Sequence, residues 1–317
     1  MKKISVFALL MMILFGFTAC SSSMGDINDK QIKDEVSRTD ESSTDEVTEI
    51  TNETIDDEAI VDDEVILDDD ISIGEQVIYE GNDIRVTALG FDSEDFFGPA
   101  IKVLIENNST KDITVQSRNS SVNGLMVDAI FSSDVAAGKK ANDSIVFFSS
   151  DLDISGITTI KDIEFSLHVI DADSWDSIVD TDTIVIRTSA DESFVQEYDD
   201  SGFIAYDSDG IKVVTKKLNS SDSFWGSDLY LYIENNTDKH ITVQTRDVSI
   251  NGFMVDPIFS CDIMSGKKAF DAITFMESDL TDNGITDITE LELKFHIYDM
   301  TSWDTIKDTD IVYISFE

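Results

Sequence analysis

Apolar and polar residues alternate over several short stretches of the chain. Every second residue is apolar in 101–105, and again in 163–169. A period of two places neighbouring side chains on opposite faces of a β-strand, so these stretches predict strands with one buried face. Further strands are predicted at 84–90, 112–118, 121–127, 143–149 and 182–188. Seven short strands separated by turn residues are typical of an antiparallel β-sandwich.

Asparagine and glycine separate the predicted strands. Asn123-Gly124 suits a type I′ hairpin turn. Asn107-Asn108 suits a turn with left-handed backbone. Gly138 precedes a strand, where we expect a positive φ.

The same pattern occurs twice, at a constant offset of 128 positions. The matching segments are IENN at 105 and 233, GKKA at 138 and 266, SWD at 174 and 302, and the Asn-Gly turns at 123 and 251. Copies of this size are two domains and not two turns of a solenoid. We therefore predict one β-sandwich repeat at 73–190 and a second at 198–317, with their junction near 189–201.

The second copy carries a recognisable string, IENNTDKHITVQTRDVSINGFMVDPIFS, followed by SGKKA and FHIYDMTSWDT. It resembles a module found in uncharacterised lipoproteins of Gram-positive anaerobes, over about 84–188 and 211–317. The resemblance implies an immunoglobulin-like fold and a membrane anchor, and it implies no catalytic or binding residue. The expected fold is all-β, with two tandem antiparallel immunoglobulin-like β-sandwich domains after a disordered acidic tether.

The first residues predict a processing segment. Two lysines are followed by an apolar run at 4–19, which is shorter than the about 20 residues of a membrane span. Phe17-Thr18-Ala19-Cys20 resembles the bacterial lipobox, with Phe where Leu is usual. We predict a signal peptide at 1–19 and a palmitate-bearing lipid anchor on Cys20. The predicted location is the extracytoplasmic face of the cell membrane, with the lipid bilayer as partner.

Residues 20–72 are rich in Asp, Glu, Ser and Thr and contain no aromatic residue. Such a segment cannot bury enough apolar area to offset the entropy of ordering, so it predicts a disordered linker. The whole chain has 22 Lys and Arg against 65 Asp and Glu, a net charge of −43. A surface this negative repels phosphate backbones, so nucleic acid is not an expected partner.

The chain has two cysteines, Cys20 and Cys261. If Cys20 is acylated, Cys261 has no partner for a disulfide. Its counterpart in the first copy is Ser133, which is also small. We therefore expect Cys261 to be a small buried residue.

Adjacent aromatic residues lie on a polar loop in each copy, as the pairs Phe96-Phe97 and Phe224-Trp225. Exposed rings could stack on a sugar or hold a partner's side chain. The alternative is that one ring fills the open end of the sandwich.

A second loop pairs a tryptophan with acidic residues. Trp175 and Trp303 are expected to be buried anchors of the two sandwich cores. The neighbouring acids could instead supply oxygen ligands to Ca²⁺. These candidate ligands are Asp171, Asp173, Asp176, Asp299 and Asp304.

No catalytic motif was found: the chain has no Gly-x-Ser-x-Gly, His-Glu-x-x-His, phosphate loop or dinucleotide fingerprint. His168 and His296 are expected to be surface residues. We predict a protein that is not an enzyme and needs no cofactor. Its expected role is a membrane-anchored lipoprotein that displays two modules for binding or structural roles at the cell envelope, with an envelope polymer or protein as partner. The alternative is a lipoprotein that binds Ca²⁺ or a small ligand.

Overall fold

The computed structural model describes residues 71–93, 95–220 and 225–316. The predictions for the signal peptide at 1–19, for Cys20, for the acidic segment up to residue 70 and for Phe224 lie outside these residues. Ile71 and Ser72, assigned above to the acidic segment, pack with the first repeat. Ile71 is buried in its core, and the Ser72 amide donates a hydrogen bond to Ser189 Oγ at 3.0 Å.

The first repeat is built almost entirely from β-strands. Its described elements are β1 (Gln76–Gly81), β2 (Ile84–Asp92), β3 (Ala100–Asn107), β4 (Ile113–Val122), β5 (Leu125–Met126), β6 (Ala129–Ile130), β7 (Ser132–Val135), β8 (Lys140–Phe147), α1 (Ser149–Ile154), β9 (Asp162–Asp171), β10 (Ser177–Asp180) and β11 (Ile184–Arg187). One sheet has the order β1-β2-β3-β8-β6. In the other, β9 pairs with β4, β10 and β11, and β4 also pairs with β5 and β7. All pairings within the repeat are antiparallel.

The second repeat has the same arrangement, except that an isolated bridge between Ile258 and Thr274 replaces β6. Its described elements are β12 (Phe203–Ser208), β13 (Ile211–Asn219), β14 (Gly226–Asn235), β15 (Ile241–Ile250), β16 (Phe253–Met254), β17 (Ser260–Ile263), β18 (Lys268–Met276), α2 (Glu277–Asp282), β19 (Glu290–Asp299), β20 (Thr305–Asp308) and β21 (Val312–Ser315). One sheet runs β12-β13-β14-β18. The other places β15 next to β16, β17 and β19, and β19 next to β20 and β21.

The strand order is that of an immunoglobulin-like sandwich. The chain leaves the first sheet after β3, forms β4 and β7 in the second sheet, returns to β8 beside β3, and ends with β9 beside β4. In immunoglobulin lettering, β2, β3 and β8 are A, B and E, and β7, β4, β9 and β11 are C′, C, F and G. The predicted all-β class and the tandem immunoglobulin-like sandwiches are confirmed.

Alternation along the strands fills the two cores. In β3 the side chains of Ile101, Val103 and Ile105 are fully buried, while Lys102 and Glu106 are half-buried on the other face. The buried residues form two clusters, one from residues 71–186 and one from residues 211–314. Each buried Ile, Val or Leu contributes about 1.5–3 kcal/mol, so these clusters are the main source of stability.

The Asn-Gly hairpin and the glycine before a strand were predicted correctly. Asn123 and Gly124 have φ values of 50° and 87°, and Val122 pairs with Leu125 across them. Two consecutive residues with positive φ are what a type I′ turn needs. Gly138 has a φ of 66°.

The interpretation of Asn107-Asn108 as a left-handed turn was wrong, since positive φ occurs at other asparagines. Asn107 is fully buried instead. Its amide nitrogen donates to the carbonyl oxygens of Lys111 at 2.8 Å and Val135 at 2.9 Å, and its Oδ1 accepts hydrogen bonds from the amide and hydroxyl of Ser109. Asn235 makes the same set of bonds in the second repeat. The side chain ties two loops to the end of the sandwich.

The segment between β11 and β12 is held by both repeats. Lys161 Nζ donates to the carbonyl oxygens of Glu192 at 2.7 Å and Phe194 at 2.8 Å. Lys216 Nζ, in the second repeat, donates to the carbonyl oxygen of Asp199 at 2.7 Å. The predicted junction is thus bound to its neighbours along its length.

Candidate functional site

The aromatic loop lies between β2 and β3. Phe96 is 89% exposed and Phe97 is 51% exposed, and their rings meet edge to face with centroids 4.8 Å apart. Trp225, at the equivalent place in the second repeat, is 58% exposed. Phe96 therefore does not fill the end of the sandwich, while Phe97 and Trp225 are partly covered. Large exposed rings on a loop are typical of contact surfaces.

Two features fix this loop. Lys102 Nζ contacts Asp95 at 2.8 Å and Asp92 at 3.1 Å, which ties the loop to β3. Gly98 has a φ of 137°, and a Cβ there would lie 2.0 Å from the Phe147 carbonyl oxygen. Gly226 is held in the same way in the second repeat. The loop can pass this close to the neighbouring strand only because glycine has no side chain.

Asp171 organises the turn between β9 and β10. Its Oδ1 accepts hydrogen bonds from the amides of Asp173 at 3.0 Å and Ser174 at 3.1 Å, and its Oδ2 contacts Lys111 Nζ at 2.7 Å. The hydrogen bond from Lys111, followed by those from the two amides, lowers the pKa of Asp171 to about 2. Asp299 has the equivalent partners, with the amide of Thr301 at 2.8 Å and Lys239 Nζ at 3.0 Å.

These contacts give the acidic loop a structural role. The carboxylate oxygens of Asp171 and Asp299 contact a lysine and accept hydrogen bonds from backbone amides. Asp176 accepts a hydrogen bond from the Ser174 hydroxyl at 2.9 Å. Among residues 71–93, 95–220 and 225–316, no group of three or more His, Cys, Asp and Glu side chains is arranged to hold a metal ion. Asp173 and Asp304 lie on the same exposed turns. The described residues do not bring the proposed Ca²⁺ ligands together as a site.

Trp175 and Trp303 do not anchor the cores, and that prediction was wrong. Each is 73% exposed. Each also has a left-handed backbone, with φ of 63° and 62°, because its amide closes the turn on the carbonyl oxygen of Asp171 or Asp299. This turn geometry directs the side chain away from the sandwich. Trp303 stacks on Tyr298 with centroids 5.6 Å apart.

His168 and His296 are more enclosed than expected for surface residues. His168 Nδ1 lies 2.5 Å from Asp180 Oδ1, and its side chain is 11% exposed. His296 makes the same contact with Asp308 at 2.7 Å and is buried. Each pair joins neighbouring strands of the second sheet, β9 to β10 or β19 to β20, and thus has a structural role.

The prediction for Cys261 is confirmed. The residue is 5% exposed and forms no disulfide within the part of the chain that the structure describes. Burial, and then the neighbouring Asp271 carboxylate, raises the pKa of its thiol. A buried thiol with a raised pKa is a poor nucleophile, so Cys261 acts as a packing residue.

The two repeats dock through an edge that the sequence pattern did not predict. The Lys268 amide donates to the Gly124 carbonyl oxygen at 3.0 Å, in a single parallel bridge between β18 and β5. Lys267 Nζ contacts Glu164 Oε1 at 2.6 Å. Tyr198, in the junction, donates its hydroxyl to the Asn123 carbonyl oxygen of the first repeat at 3.1 Å, and its ring lies 6.4 Å from that of Phe270 in the second repeat. Backbone pairing, an ion pair and the contacts of Tyr198 therefore join the repeats.

A groove of about 440 Å³ lies along this edge, with walls from both repeats. It contains Asp128 and Asp151 from the first repeat and Asp271 from the second. Burial, together with the charges of neighbouring aspartates, raises the pKa of Asp151 and of Asp271. The groove therefore holds carboxylates that take up protons more readily than free aspartate does.

No signal in the sequence distinguishes this edge. The Lys-Lys pair after Gly138 recurs after Gly266, and lysines at the start of a strand are typical of solvent-exposed sheet edges. Lys267 contacts Glu164 of the other repeat, whereas its equivalent Lys139 is exposed. This difference between the two pairs arises only from the docking of the repeats.

The chain matches no protein-family model and no curated protein. Among solved structures, it is similar to the Salmonella enterica SafA pilin in complex with the SafB chaperone, with 9% identity, a TM-score of 0.21, and coverage of 68% of this chain and 89% of that chain. It is also similar to red sea bream transglutaminase, with 11% identity, a TM-score of 0.20, and coverage of 74% of this chain and 31% of that chain. TM-scores this low do not establish a shared fold, so the fold rests on the strand order.

Proposed function

We propose that this chain is a non-enzymatic lipoprotein of the extracytoplasmic membrane face, which displays two immunoglobulin-like repeats to an envelope polymer or protein. Cys20 would carry the lipid, and the acidic segment would space the repeats from the bilayer. Within the described residues, no helix is long and apolar enough to cross a membrane.

The observation that carries the binding part of the proposal is the aromatic loop. Phe96, Phe97 and Trp225 are large apolar side chains at more than half exposure, at equivalent places in two repeats. Exposing such rings to water is unfavourable, and the sandwich cores do not need them. Two such loops on one chain would raise avidity for a repetitive polymer through effective concentration.

The anchor is tested by expressing the full chain and its Cys20→Ser variant in a bacterium, with labelled palmitate. We expect label and membrane association for the unaltered chain and loss of both for Cys20→Ser. Equal membrane association of the two chains would argue against the lipid anchor.

Binding is tested by sedimentation with purified envelope polymers. We expect the chain from Ser21 onward to sediment with one of them, and the double variant Phe97→Ala/Trp225→Ala to lose at least about tenfold in affinity. Trp175→Ala is the control, because it removes an exposed ring, at 73% exposure, from another loop. Equal losses in both variants would remove the aromatic loop from the proposal.

A further inference from the structure

The two hairpins that follow β4 and β15 have similar sequences and different surroundings. In the first repeat, Met126 is half-buried and packs against the core of the second repeat, while Leu125 lies in the first repeat's own core. In the second repeat, Phe253 is 47% exposed and Met254 is 67% exposed. The second repeat covers the first hairpin, and within the described residues no repeat covers the second.

The opposing edge shows the reverse pattern. At the start of β18, which meets the first hairpin, Lys268 is half-buried and Ala269 is 2% exposed. At the start of β8 in the first repeat, Lys140 is exposed and Ala141 is half-buried. Each repeat thus has a hairpin edge, at 123–126 or 251–254, and a lysine edge, at 139–141 or 267–269. In the docked pair, the hairpin edge of the second repeat and the lysine edge of the first repeat stay exposed.

The polar partners of the contact are also present at both exposed edges. Lys267 and Glu164 form the ion pair between the repeats, at 2.6 Å. The position equivalent to Lys267 is Lys139, which is exposed, and the position equivalent to Glu164 is Glu292. The backbone acceptor, the carbonyl of the glycine in the Asn-Gly turn, recurs at Gly252.

The groove recurs with the edge. In the second repeat it is about 500 Å³ and is lined by that repeat alone, including Met254, Asp256 and Asp279. These residues correspond to Met126, Asp128 and Asp151 in the groove between the repeats. The second repeat therefore presents a groove at the positions that the first repeat uses to face its neighbour.

We propose that the hairpin edge of the second repeat binds the lysine edge of the first repeat in a second copy of this chain. Such a contact joins unlike surfaces, so each added copy again exposes one hairpin edge and one lysine edge. Heterologous contacts of this kind form chains of subunits or rings and not closed two-fold dimers. The occupant is a second copy because this chain already carries the matching lysine, carboxylate and backbone groups.

The contact between copies is weaker than the contact within one. The lysine edge of the first repeat has Asn142 where the second has Phe270, so the ring contact with Tyr198 has no equivalent there. The contact within one chain also gains from the covalent connection, which supplies a high effective concentration. We expect dissociation constants between about 1 µM and about 1 mM, a range in which a shared membrane surface would promote assembly.

The test uses the chain from Ser21 to Glu317, mixed in equal amounts with its ¹⁵N-labelled form and treated with a carbodiimide that joins contacting amines and carboxylates. We expect Lys139–Glu292 cross-links that contain one labelled and one unlabelled peptide, increasing with concentration up to about 1 mM. The Lys267–Glu164 cross-link is the internal control, and it should form within single chains. Absence of mixed Lys139–Glu292 cross-links while the control forms would overturn the proposal.

Variants test the geometry of the contact by sedimentation velocity. Met254→Glu and Glu292→Lys should each reduce association at least about tenfold, and Lys139→Glu combined with Glu292→Lys should restore it by reversing the ion pair. Trp303→Glu is the control, since it alters an exposed ring at the opposite end of β19. Association that Met254→Glu leaves unchanged would show that another surface is used, and a monomer at all concentrations would also overturn the proposal.

Discussion

The two repeats are alike in their cores and differ where one touches the other. Asn107 and Asn235 are both fully buried with the same partners, whereas Met126 packs against the other repeat and its counterpart Met254 is 67% exposed. Core residues are surrounded by their own repeat, so duplication preserves their environment. Edge residues depend on the neighbouring repeat, so equivalent positions can be core in one copy and surface in the other.

The largest effect is expected from substituting the two glycines that lie against a neighbouring strand, a feature that both repeats share. Gly98→Ala and Gly226→Ala should each lower the free energy of unfolding by about 3 kcal/mol, because a Cβ would lie 2.0 Å from a carbonyl oxygen. Gly138→Ala is the control, with positive φ and open space around its Cβ, and should lower it by about 1 kcal/mol. Chemical denaturation measures both, and equal losses would contradict the assigned role of the close approach.

The next effect concerns the buried asparagines. Asn107→Ala and Asn235→Ala should each destabilise by about 2 kcal/mol, since each leaves a carbonyl oxygen at the sandwich end without its donor. The neighbouring exposed Asn108→Ala should change the free energy of unfolding by less than about 0.5 kcal/mol. A large effect in one repeat only would show that the two networks are not equivalent.

The dependence of stability on pH should differ between the two equivalent positions Asp271 and Asp143, because only Asp271 lies at the contact between the repeats. The pKa of Asp271 is raised by burial and by the facing charges of Asp128 and Asp151. The folded state then binds more protons than the unfolded state, so this residue makes the protein more stable as pH falls through its folded pKa toward about 3.9.

Asp271→Asn should remove that gain, so the difference in melting temperature from the unaltered chain should change between neutral and mildly acidic pH. Asp143→Asn alters the equivalent position of the first repeat, on the exposed lysine edge, and should give a difference that varies less with pH. A constant difference for Asp271→Asn would contradict the role assigned to the groove.

The smallest effect concerns the exposed tryptophans. Trp303→Ala should destabilise by less than about 1 kcal/mol, through loss of the stacking of Trp303 on Tyr298. Trp175→Ala should destabilise by less, because the first repeat has Ile170 at the position equivalent to Tyr298. Thermal unfolding measures the loss of stability in both variants. A loss above about 3 kcal/mol from either variant would restore the core role that the exposed rings argue against.

The sequence predicted features that depend on local pattern. Alternation at 101–105 identified β3, and Asn123-Gly124 identified a hairpin, because strand period and turn chemistry act over few residues. The prediction that Trp175 is buried was wrong, because its exposure follows from a left-handed backbone in the turn that Asp171 organises. The docking edge was not predicted, because its partners Lys267 and Glu164 are far apart in the chain and become neighbours only through the arrangement of two repeats.

Amide hydrogen exchange at Lys268 and Lys140 tests the central claim most directly, namely that the repeats dock through the hairpin edge. These amides are equivalent, and the Lys268 amide donates to the Gly124 carbonyl oxygen in the other repeat. In dilute solution, where copies do not associate, we expect exchange at Lys268 to be at least about tenfold slower than at Lys140, because it requires the repeats to separate. Equal exchange at the two lysines would contradict the docked arrangement and the inference drawn from it.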